Sequence, residues 1–175
     1  MARDSMRNGL MVVVWVMACA SGYLHAAGPE KQALFWVERS KNANIIQYDA
    51  QIGPDGKLYR DEPVVGYWIR LAKEGQVEEM SWLQWVFAFG FDVELSDDGD
   101  SAEMIMRGGK DRPITVRKEG DGYCAVLMME GAPACIEKAY INSKRKGLSF
   151  KVYYLDFWGF DTATGERRYE RIVPD

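Results

Sequence analysis

From Leu34 onward the chain is a series of short stretches in which alternate residues share a character, each closed by a turn-forming cluster. Residues 44–52 set Ile46, Tyr48 and Ala50 against Gln47, Asp49 and Gln51. Residues 64–71 set Val65, Tyr67, Ile69 and Leu71 against Gly66, Trp68 and Arg70. A period of two places successive side chains on opposite faces of a strand, which suits a sheet with one face wetter than the other. Further strands are predicted at 33–38, 91–95, 102–106, 113–118, 122–129, 134–142, 148–158 and 166–173. Between them lie Gly53-Pro54-Asp55-Gly56, Asp97-Asp98-Gly99, Gly120-Asp121-Gly122 and Thr164-Gly165, all turn formers by residue chemistry. Strands at such even spacing predict a mainly β fold: a single-domain antiparallel β-barrel or sandwich.

One short α-helix is expected to interrupt the strands, over residues 82–89. Ser81 and Gln84 form a capping-box pattern, Met80 and Trp85 sit where a hydrophobic staple would, and Gly90 is placed to end the helix. The segment is apolar almost all round, which predicts that it packs against the sheet.

Residues 1–26 read differently. Arg3 and Arg7 precede an apolar run from Leu10 to Ala20, and small residues lead to Ala26-Ala27-Gly28. This is the pattern of a secretory signal peptide, and the run is shorter than the roughly 20 apolar residues that span a bilayer. Cys19 offers a second reading, a lipid anchor, although Met17 is bulky for a lipoprotein box. Residues 33–175 would then form one β-rich domain in the bacterial periplasm or cell envelope. An outer-membrane barrel is disfavoured, because Lys151, Arg168 and Arg171 would fall in its strands.

Loss of residues 1–26 removes Arg3, Arg7 and Asp4, moving the net charge from −4 to −5. A mildly acidic chain lacks the cationic excess that phosphate binding needs, so no nucleic-acid partner is expected. It also removes His25, the one histidine. Without imidazole there is no Ser-His or Cys-His nucleophile system and no His-ligated metal. Neither a cofactor nor a metal is expected. The acidic run Asp92, Glu94, Asp97, Asp98, Asp100 and Glu103 does not follow the calcium-loop spacing. Cys124 and Cys135 remain as an even pair on either side of a turn-like Glu130-Gly131, which reads as a disulfide in an oxidising compartment.

The segment Phe35-Trp36-Val37-Glu38-Arg39-Ser40-Lys41-Asn42-Ala43-Asn44 resembles the opening motif of a bacterial family, domain of unknown function 4833. The family's aromatic-Trp-Ile strand is matched by Tyr67-Trp68-Ile69, its Phe-Gly helix end by Phe89-Gly90, and its late glycine turn by Gly159, Asp161 and Gly165. The resemblance spans most of residues 33–173. It implies an exported domain and supplies no chemistry.

Two sets of residues are candidates for function. Trp36, Arg39, Asn42, Trp68, Arg70 and Trp158 would bind a small ligand, through aromatic rings, a bidentate guanidinium at Arg39 and the two amides of Asn42 and Asn44. The bland reading makes the rings core and the polar residues turn formers. Glu38, Asp156 and Asp161 would serve a carboxylate-dependent hydrolase. Asp156 follows Leu148, Phe150, Val152 and Tyr154 on one strand face, where burial would raise its pKa unless a β-bulge turns it outward. The reading that results is an exported envelope protein, a non-catalytic domain for a small ligand or another envelope protein. The alternatives are the hydrolase and a structural or inhibitory module.

Overall fold

The computed structural model describes residues 28–40, 42–109, 111–146 and 149–174. The expected signal peptide and Cys19 lie outside them. Eleven strands form one strongly curled sheet: β1 (Glu30–Arg39), β2 (Asn42–Ile52), β3 (Val64–Arg70), β4 (Gln76–Glu79), β5 (Phe91–Leu95), β6 (Ser101–Met106), β7 (Ile114–Glu119), β8 (Gly122–Met129), β9 (Ala132–Lys146), β10 (Ser149–Asp161) and β11 (Arg167–Ile172). The strand order β4-β3-β2-β1-β9-β8-β7-β6-β5 makes β9 the spine.

Two wings meet on that spine. β8 pairs with the first residues of β9, and β1 pairs with residues 138–141. β10 runs along the other edge of β9 and carries β11. The β1–β9 pairing is parallel, whereas the other strand pairs are antiparallel. A parallel neighbour needs a long crossover, and here β2–β8, drawn from both wings, provide it. Where β1 passes β8, the Gln32 amide replaces a ladder rung. Its Nε2 donates to the Tyr123 carbonyl at 3.0 Å, and the Tyr123 N–H donates back to Oε1 at 2.9 Å.

The wings close over one core. Ile46, Tyr48 and Ala50 of β2 are fully buried, with Phe35 and Val37 of β1 beside them. From the opposite wing come Met104, Val116, Ala125 and Met129. Tyr48 stacks on Phe35 at 4.7 Å, meets the edge of Phe91 at 5.7 Å, and donates its hydroxyl to the Phe89 carbonyl at 2.8 Å. Gly66 leaves room for this, since a Cβ there would lie 3.1 Å from both Phe91 and Tyr48. At the wing tips Lys57 and Arg60 donate to the carbonyls of Asp98 and Asp97, and Lys57 also pairs with Asp100. The acidic run is therefore answered by cations from the distant β2–β3 loop.

The helical segment spans the expected residues, but it is mixed in type and buried on one side only. One α-turn, Trp82–Gln84 (α1), continues as a π-turn through Phe89. The capping box is present, but Trp82 and Leu83 are exposed (71% and 60%) while Phe89 is buried. The segment ends at Gly90, where a Cβ would sit 2.0 Å from the Trp85 carbonyl. A two-turn helix crossing the end of a curled sheet can seat only one side of itself. On β3 the buried row is Val64, Gly66 and Trp68, so Val65, Tyr67 and Ile69 take the outer face. The short edge strand β4 and the 3-10 turn Leu71–Lys73 have no clear signal in the sequence.

Candidate functional site

The ligand-binding candidates divide between two places. Trp36 and Trp158 stand on the outer face, away from the core. Register puts Trp36 opposite Lys138, Lys138 opposite Trp158, and Trp158 opposite Tyr169, in one row across β1, β9, β10 and β11. The Lys138 ammonium lies 4.7 Å above the Trp158 ring and 3.4 Å from Glu38, which also accepts the Trp36 indole N–H at 3.0 Å. A second row runs Glu38, Tyr140, Asp156, Arg171. Arg171 stacks on Tyr154 at 4.0 Å, and Tyr154 accepts from Asn142 at 3.2 Å. Half-buried rings thus occupy a face that the alternation predicts to be plainly wet. Further along it, Asp49 is buried and holds the Gln47 amide at 2.9 Å and the Tyr67 hydroxyl at 2.5 Å.

Arg39, Trp68 and Arg70 gather elsewhere, where β1 and β3 end and β2 begins. The Arg39 guanidinium lies over Trp68 at 4.4 Å and Phe89 at 5.2 Å. Cation–π attraction of this kind gains strength as water is excluded. Burial lowers the Arg39 pKa, but an arginine stays charged at neutral pH. Arg39 Nε is buried without a hydrogen-bond partner among the described residues, and so is Asn44 Oδ1. Each such atom costs roughly 1–3 kcal/mol. Trp68 is fixed by its indole N–H, which donates to Gln84 Oε1 at 2.9 Å; the same oxygen accepts from the Ser81 N–H and hydroxyl. Arg70 is committed to Glu78 at 2.6 Å. Asn42 is placed by its backbone alone, opposite Arg39.

The carboxylate candidates are all engaged. The pKa expected to rise at Asp156 falls instead. The Arg171 guanidinium, at 2.6 and 2.7 Å, and the Tyr169 hydroxyl, at 2.8 Å, hold it below the usual carboxylate range. A register shift between Val152 and Tyr154 moves Asp156 off the face that the alternation assigns it. It turns outward, yet stays 4% exposed because β11 side chains cover it. Leu148 lies outside the described residues. Asp161 caps the β10–β11 hairpin, accepting from the Thr164 and Ala163 N–H groups at 2.9 and 2.8 Å and from Arg168 at 2.7 Å; these bonds lower its pKa to about 2. Glu38 and Asp156 flank Tyr140, so their backbones stand two strand spacings apart, roughly 9.6 Å. Retaining glycosidases place two carboxyls about 5 Å apart. Among the described residues no cluster of His, Cys, Asp or Glu suits a metal ion.

Cys124 and Cys135 form a disulfide between β8 and β9. Tyr140, Tyr154, Tyr169 and Gln84 are side chains of these two places that sequence reading does not assign to a site. The rings Tyr154 and Trp158, an even number of residues apart on one strand with Asp156 between them, are the available signal for the outer face.

The model of the family described as domain of unknown function (DUF4833) matches residues 35–171. The chain belongs to that family. The match begins on β1, at the motif that carries Trp36 and Arg39, and ends at Arg171 on β11, so DUF4833 takes in the whole sheet but the first residues of β1 and the last of β11. No curated protein and no solved structure matches the chain.

Proposed function

We propose that this DUF4833 chain is an exported, non-catalytic binding domain that takes a small anionic ligand against Arg39. The observation that carries the reading is the Arg39 guanidinium, laid on Trp68 and Phe89 with its Nε buried and unpartnered. Its neighbour Arg70 is already neutralised by Glu78, which leaves Arg39 as the cation with an unmet demand among the described residues at this end of the sheet. The planar fork of arginine matches carboxylate and phosphate oxygens. Because Nε is covered, entry requires side-chain shifts of the kind that commonly accompany binding. Export is supported by the Cys124–Cys135 disulfide, since such bonds persist in oxidising compartments. A lipid anchor at Cys19 remains part of this proposal.

The test is calorimetric titration of the purified protein with small carboxylates and with inorganic phosphate. The expected result is saturable binding of an anion, weakened about ten-fold or more in Arg39→Gln and not restored by Arg39→Lys. Absence of binding by any of these anions, or equal binding by Arg39→Gln, overturns the proposal.

A protein partner is a second reading, favoured by the outer face. Trp, Tyr and Arg are enriched at the centres of protein interfaces, and Trp36, Trp158, Tyr169 and Arg171 lie there together. Cross-linking in the native envelope tests it; a partner captured by wild type and lost with Trp158→Ala supports this reading.

A further inference from the structure

If Arg39 holds an anion, we infer that the ligand is a small carboxylic acid with a hydrogen-bond donor beside the carboxyl, a 2-hydroxy or 2-amino acid. This rests on the reading above and adds the second group. Two buried atoms at this end of the sheet lack partners, and they are of opposite kinds: Arg39 Nε donates and Asn44 Oδ1 accepts. Arg39 stands opposite Asn42 in the β1–β2 ladder, and Asn44 lies two residues further along β2. The ladder is irregular between Val37 and Arg39, and side chains at such neighbouring positions can converge on one small molecule. A carboxylate oxygen satisfies Nε. A hydroxyl or ammonium on the adjacent carbon satisfies Oδ1. An anion with no hydrogen-bond donor, such as propionate, satisfies only the first.

The surroundings narrow the choice. The Trp68 indole N–H is already taken by Gln84, so it adds no donor to the site. Arg70 is taken by Glu78, so one guanidinium is on offer, which favours a single negative charge over a dianion. Trp68 and Phe89 present ring faces to the guanidinium and leave the polar recognition to Arg39 and Asn44.

Three molecules with the same three-carbon skeleton test this: propionate, lactate and alanine. In calorimetric titration of the wild-type protein, lactate or alanine should bind about ten-fold tighter than propionate, the effect of one satisfied buried acceptor. Asn44→Ala should erase the difference between the three acids. Without any variant, lactate or alanine should shift the NMR signals of both Arg39 Nε–H and the Asn44 side-chain amide, and propionate only the former. Equal affinity for all three, with Arg39→Gln weakening all of them, overturns the inference and leaves the anion reading standing. No binding by any, together with none by phosphate, overturns both.

Discussion

Asp156 and Arg171 stand opposite each other on β10 and β11, and the arginine closes on the carboxylate through two hydrogen bonds of 2.6 and 2.7 Å. The carboxylate is buried and the arginine is half exposed, so the loss falls mainly on whichever partner leaves Asp156 unmatched. Arg171→Gln, which leaves the buried carboxylate without its guanidinium, should destabilise the domain by about 1–3 kcal/mol. Urea unfolding measures this. Anion binding at Arg39 should be unchanged in the same variant, because Asp156 lies on the outer face.

Asp161 provides a pH signature. Its folded pKa, about 2, lies below the roughly 3.9 of an unfolded aspartate. A depressed pKa means that its stabilisation is complete above about pH 4 and is lost as pH falls toward 2. Asp161→Asn should therefore melt below wild type at pH 7, with the gap closing between about pH 4 and 2. Melting curves across that range decide it; a gap that persists unchanged at pH 2 excludes the assignment.

Gly159 should not tolerate a side chain. A Cβ there would lie 2.2 Å from the Cys135 carbonyl oxygen, at the register shift between β9 and β10. Backbone cannot give way without breaking the ladder, so Gly159→Ala should cost about 1–3 kcal/mol or more. Gly109→Ala is the control. Nothing lies within 4 Å of that position, and its melting temperature should match wild type.

The Cys124–Cys135 disulfide closes a loop with a sequence separation of 11. In the chain-entropy model such a loop stabilises by about 3 kcal/mol. The double variant Cys124→Ser, Cys135→Ser should lose about that much in chemical unfolding. It should still fold, because the buried core of both wings is untouched.

The sheet was readable because alternation is a local property: Ile46, Tyr48 and Ala50 declare a buried face within five residues. The Ser81–Gln84 cap was readable for the same reason, since both partners lie within one turn. The exposure of Trp82 and Leu83 was not, because it depends on where a curled sheet lets a short helix rest. The wet side of β2 misled in a similar way. Gln47 and Asp49 look like solvent residues, yet Tyr67 of β3 bonds to Asp49 and both are buried.

The sequence by itself determined the strands other than β4, the disulfide partners and the motif residues around Arg39, all of which follow from spacing or residue type. Tertiary structure decided which of those residues meet. Trp36 and Arg39 are three apart in sequence but serve different faces. Arg39, Trp68 and Gln84, on β1, β3 and α1, share one site. Asp156 acquired its arginine across the β10–β11 ladder. Pairings of this kind depend on register and on which wing crosses which, and a single residue of slip in a strand reverses every side chain on it.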